Sequence, residues 1–124
     1  MSFSPIVLEA DLPVFDPSRL LDQFGGEPEI LVELRDLFLQ DFPQQLERMQ
    51  SGIAAGDADA VARAAHSLKG ASGTFGAERV FQVALAIERL AREGQLDGVT
   101  MGLDLLRDEW AKVVQRIQNL ETVS

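Results

Sequence analysis

The chain has 124 residues, a formal net charge of −9 and a sequence pI near 4.4, enough for one domain with a real core. The acidic balance argues against a nucleic-acid groove or an anionic membrane surface as partner. With no cysteine and one histidine, disulfides, thiolate metal sites and multi-histidine metal sites are excluded.

No apolar run approaches the roughly 18 residues of a membrane span. Met1 to Asp16 lacks the basic region and apolar block of a signal peptide. A soluble, cytoplasmic location is therefore expected. Residues 1–16 carry two prolines and no helical period, and read as an extended lead-in or the end of a linker. The domain proper is assigned to 17–121. Asp16-Pro17-Ser18 has the form of an N-cap followed by proline at the first helical position. A short helix is predicted from about Pro17 to Phe24, stopped at Gly25-Gly26.

A long helix follows, with Ile30, Leu31, Leu34, Leu37, Phe38, Phe42, Leu46, Met49 and Ile53 at threes and fours. Pro43 interrupts that pattern and predicts a kink or local break. Gly52 to Asp57 is read as the next turn. A third helix is expected from Asp57 or Asp59 to about Thr74, with Phe75-Gly76 turning the chain. Val80, Val83, Ala84, Ile87, Leu90 and Ala91 mark another amphipathic helix ending at Gly94. The last runs from about Thr100 through Leu103, Leu106, Trp110, Val113, Val114, Ile117 and Leu120. No segment alternates with a two-residue period. Short connections make neighbours antiparallel, so the fold class is all-α: an antiparallel up-down four-helix bundle with a short additional N-terminal helix.

The chemistry concentrates in the third helix, where His66, Lys69, Gly70 and Gly73 share one face at offsets of zero, three, four and seven. Val61, Ala65, Leu68 and Ser72 form the opposite, buried stripe. A helix-interior glycine costs roughly 1 kcal/mol relative to alanine, so two on the histidine's own face need a reason. Close approach of another molecule supplies one. With Ala62 one turn before His66, the glycines would leave clearance for a partner to close over the ring. The imidazole's free nitrogen can attack an electrophile such as a phosphoryl group, whose charge Lys69 would offset. The rest of an enzyme is missing: there is no glycine-rich nucleotide loop, second histidine or evident acidic pair beside the nucleophile. Such a site can carry a group but not activate one. From these residues alone, an ordinary surface histidine stays open as the competing reading.

The block His66-Ser67-Leu68-Lys69-Gly70-Ala71-Ser72-Gly73-Thr74-Phe75-Gly76-Ala77 resembles the signature of the histidine-containing phosphotransfer (HPt) domain. That signature reads His-x-hydrophobic-Lys-Gly, small residues, then an aromatic or aliphatic residue and Gly. Asp16 to Gly26, Leu37 to Pro43 and Gly56 to Asp59 are similar to the family's opening, second helix and turn into the histidine helix.

The resemblance implies a phosphocarrier of a multistep, two-component phosphorelay. His66 would take a phosphoryl group from a receiver-domain aspartate of one response regulator and pass it to another. Lys69 would sit near the phosphoryl group, and Gly70 would admit the receiver's loops. Glu88, on the following helix, falls where the family often places a carboxylate or carboxamide that holds the histidine tautomer; a solvated helix-flank charge is the other reading of Glu88. No cofactor or metal is expected on this chain, and Mg²⁺ would belong to the receiver. Two alternatives remain: direct phosphorylation by the ATP-binding domain of a sensor histidine kinase, as in the chemotaxis type, and a non-catalytic helical adaptor.

Overall fold

The computed structural model describes residues 14–16, 18 and 28–123. Four helices follow in chain order: α1 (Pro28–Ala54), α2 (Ala58–Phe75), α3 (Glu78–Arg92) and α4 (Leu96–Val123). No strand occurs among the described residues. The connections span two or three residues, so successive helices reverse direction. α2 is sandwiched between α1 and α3, and α4 packs on α3 and, more lightly, on α1. The all-α bundle is as the periodicity predicts. The short N-terminal helix expected from Pro17 to Phe24 lies outside the described residues except at Ser18. There, Asp16 Oδ1 accepts from the Ser18 amide at 3.0 Å.

The helices differ from the sequence expectation at three points, the first being that α1 continues to Ala54, past the turn expected from Gly52. Of the kink or local break expected at Pro43, the break does not occur: the helix continues through it because Phe38, Phe42 and Met49, all buried, anchor it on both sides. Burying each such side chain contributes roughly 1.5–3 kcal/mol, which together outweigh the ~3 kcal/mol cost of an interior proline. Pro43 itself faces solvent. α4 starts at Leu96, four residues before the expected start near Thr100. Its first turn contains Gly98, a poor helix former, but Val99 is fully buried and Gly98 lies tight against Leu90 of α3. Packing overrides propensity there.

Asp57 caps α2 by accepting from the Ala60 amide at 3.0 Å. At the other end Gly76 adopts φ +84°, and its amide and that of Ala77 both return to the Ser72 carbonyl. A side chain at Gly76 would collide with the Asp16 carbonyl, because the Asp16 amide donates to the Gly76 carbonyl at 2.9 Å. Residues 14–16, the end of the predicted lead-in, are thus seated on the bundle. Phe15 stacks on Phe75 (centroids 4.8 Å), Phe75 on Phe38 (4.7 Å), and Phe42 on Trp110 (3.9 Å). These aromatics tie the leading segment, α1, α2 and α4 into one core. α3 and α4 are pinned by Arg79, whose Nε and Nη2 donate to Glu109 at 2.7 and 2.9 Å.

Candidate functional site

α2 is covered on one flank of its exposed face and open on the other. At about 100° per residue, Ala62, Lys69 and Gly73 lie on one side of His66, and Arg63, Gly70 and Thr74 on the other. The first flank faces α3. Ala62 is 1% exposed, so its expected place on the open face is corrected: it is a core residue. Gly73 is half-buried, and a Cβ there would sit 3.3 Å from the Phe81 ring of α3. Its missing side chain therefore makes room for Phe81 rather than for an incoming partner.

The second flank is open. Gly70 is exposed and an added Cβ would meet nothing within 4 Å. Beside it, Leu34, Leu37, Phe38, Asp41, Ala71, Thr74 and Phe75 line a groove of about 360 Å³ between α1 and α2. Leu37 is 55% exposed at its rim.

His66 projects from this face with 63% of its side chain exposed. Its Nδ1 lies 3.0 Å from Glu88 Oε2. Glu88 is buried on α3, which rules out the reading of a solvated flank charge. Its other oxygen accepts from Lys69 Nζ at 2.8 Å. Arg92, one turn along α3, donates to Oε2 through Nη2 at 2.9 Å and Nε at 3.3 Å. Burial pushes the Glu88 carboxyl up, but hydrogen bonds from Lys69, Arg92 and His66, with the Lys69 charge, outweigh it and hold the group at about 2. An ionised carboxylate only accepts, so the ring proton sits on Nδ1. In the neutral ring Nε2 then carries the free lone pair.

The helices thus bring His66, Lys69 and Glu88 together, with Gly70 beside them, and turn Ala62 and Gly73 inward. Arg92 was not anticipated; its signal was the Glu88-to-Arg92 spacing of four, the favourable order for an ion pair on a helix. Among the described residues no cluster of three or more His, Asp or Glu side chains is arranged to hold a metal, and no helix is long and apolar enough to cross a membrane.

The Hpt domain model matches residues 33–119. The chain belongs to the Hpt domain family. Solved structures agree. Histidine-containing phosphotransfer protein B from Pseudomonas aeruginosa PAO1 is 27% identical with a TM-score of 0.79, the match covering 90% of this chain and 97% of that one. A maize histidine-containing phosphotransfer protein is 28% identical over 88% of this chain and 80% of its own, with a TM-score of 0.68. One from Medicago truncatula, at 22% identity, 88% and 78% coverage and a TM-score of 0.77, shares the fold. No curated protein matches the sequence significantly. As an Hpt domain, the chain is a phosphotransfer carrier of the phosphorelay type.

Proposed function

We propose that His66 is the phosphoacceptor, taking its phosphoryl group from a receiver-domain aspartyl phosphate and handing it to a second receiver. The observation that carries this reading is the ion-paired Glu88 on Nδ1, which leaves Nε2 as the nucleophile on an exposed ring. In the forward step Nε2 attacks phosphorus in line, the P–Nε2 bond forms, and the aspartyl P–O bond breaks with the carboxylate leaving. No proton has to leave Nε2. The ring becomes cationic as the P–N bond forms, and the ionised Glu88 compensates that charge. Lys69, 22% exposed, offsets the phosphoryl charge from the same face.

The chain supplies acceptor and electrostatics; Mg²⁺ and the acid that assists departure belong to the receiver. The groove beside Gly70, with exposed Leu37 at its rim, supplies an apolar docking surface. Its modest size suits partners that separate after each transfer. A cytoplasmic location follows from that partnership.

Label transfer tests the proposal. A ³²P-labelled receiver domain should phosphorylate the wild-type chain but not His66→Gln, and the purified phospho-chain should label a second receiver. Failure with receivers but efficient labelling by a histidine-kinase ATP-binding domain and ATP would replace the receiver reading with the kinase-substrate one.

A further inference from the structure

Glu88 carries more cations than its own charge requires. Oε1 holds Lys69 Nζ at 2.8 Å, while Oε2 holds Arg92 Nη2 at 2.9 Å as well as His66 Nδ1 at 3.0 Å. The carboxylate is 8% exposed, so leaving it without a cation is costly. One cation neutralises it. The second becomes necessary only if something draws the first away.

A phosphoryl group on Nε2 does that. It brings roughly two negative charges to the helix face that carries Lys69, whose ammonium has three rotatable donors on a flexible stem. Without a further cation, turning outward would leave the buried Glu88 held only by the imidazolium it has to orient. Arg92 is built to stay: Nε and Nη2 both reach Oε2 from one rigid guanidinium, rooted one turn away on the same helix.

We propose that Arg92 is a positioning residue, the standing counter-ion of Glu88, which releases Lys69 to the phosphoryl group while Oε2 stays aimed at Nδ1. This rests on the reading of His66 as the phosphoacceptor. Arg92 acts through Glu88 and not on phosphorus.

The test loads the full chain with phosphoramidate, whose P–N bond to ammonia breaks as the P–Nε2 bond forms. After reagent removal, ³¹P NMR follows hydrolysis of phosphohistidine to inorganic phosphate. Arg92→Gln is expected to shorten the half-life by about threefold to tenfold, and in a Glu88→Gln background to change it by less than about 1.5-fold, the coupling expected of contacting charges. Arg92→Lys, which keeps the charge but not the two-point fork, restores only part of the lifetime. That rescue and that background dependence would not appear if Arg92 merely stabilised the fold. A wild-type lifetime in Arg92→Gln overturns the proposal. So does an equal loss in the Glu88→Gln background, which would place Arg92 on the phosphoryl group directly. Absence of any phosphohistidine on the wild-type chain overturns the acceptor reading itself, and the proposal with it.

Discussion

His66 on α2 and Glu88 on α3 meet across the helix pair at 3.0 Å between Nδ1 and Oε2, and this contact decides which ring nitrogen is free. Removing it should release the tautomer. Glu88→Ala is expected to slow phosphotransfer by about tenfold, comparable to losing the orienting partner of a metal-bound histidine. Long-range ¹⁵N spectra of the ring should show Nε2–H gaining population. An unchanged rate with an unchanged tautomer would show that Glu88 does not orient the ring.

Lys69 has a separable role. Lys69→Ala leaves Glu88 paired with Arg92, so the bundle should keep its melting temperature within a few degrees. Phosphohistidine lifetime or transfer rate should fall. If both stay at wild-type values, Lys69 serves only Glu88.

The two glycines should behave differently. Gly70→Leu projects into open space and replaces a helix-interior glycine, so stability should stay equal or rise by up to about 1 kcal/mol while transfer from a receiver is blocked. Gly73→Ala must push the Phe81 ring by a few tenths of an ångström; we expect a lowered melting temperature with transfer retained in the folded protein. Urea melts paired with transfer assays separate the cases.

Acid should loosen the α2–α3 junction. Glu88 lies at about 2 in the folded chain against 4.5 for a free glutamate, so the unfolded state takes up its proton first as pH falls. Its contribution is fully present above about pH 5, and is lost progressively as pH drops toward 2. The difference is on the order of 3 kcal/mol. Glu109 is also held low: burial pushes it up, but hydrogen bonds from Arg79 and Lys112 outweigh that, so its contribution disappears in the same direction. Urea midpoints for wild type should fall from pH 6 to pH 3, and the fall should be smaller in Glu88→Gln.

The Arg79–Glu109 pair is structural. Glu109 is 1% exposed, so Arg79→Met leaves a buried carboxylate with Lys112 at 3.1 Å as its one cation among the described residues. A loss of about 3 kcal/mol is expected, at the low end for breaking a buried pair, with the phosphotransfer rate of folded protein unchanged.

Local signals carried most of the fold. Apolar threes and fours located all four helices, and Asp57 and Gly76 bracket α2 much as capping chemistry predicts. The early start of α4 and the unbroken α1 were illegible because burial of Val99 and Phe42 decides them, and burial depends on neighbouring helices. The site shows the same division. Spacing placed His66, Lys69 and Gly70 on one face, but a helix wheel has no preferred flank until neighbours cover it. Hence the wheel puts Ala62 and Gly73 on the His66 face, yet Ala62 is buried and Gly73 lies against Phe81 of α3. The Arg79–Glu109 pair joins residues thirty apart, and nothing local announces it.

The central claim is that Nε2 of His66 receives the phosphoryl group. Its most direct test is a ³¹P and ¹⁵N spectrum of the full chain after incubation with a phosphorylated receiver and Mg²⁺. The account predicts one phosphoryl group bonded to Nε2 of His66, Nδ1 still protonated, and no signal in His66→Gln. Phosphorus on Nδ1, or a signal that survives in His66→Gln, would contradict it.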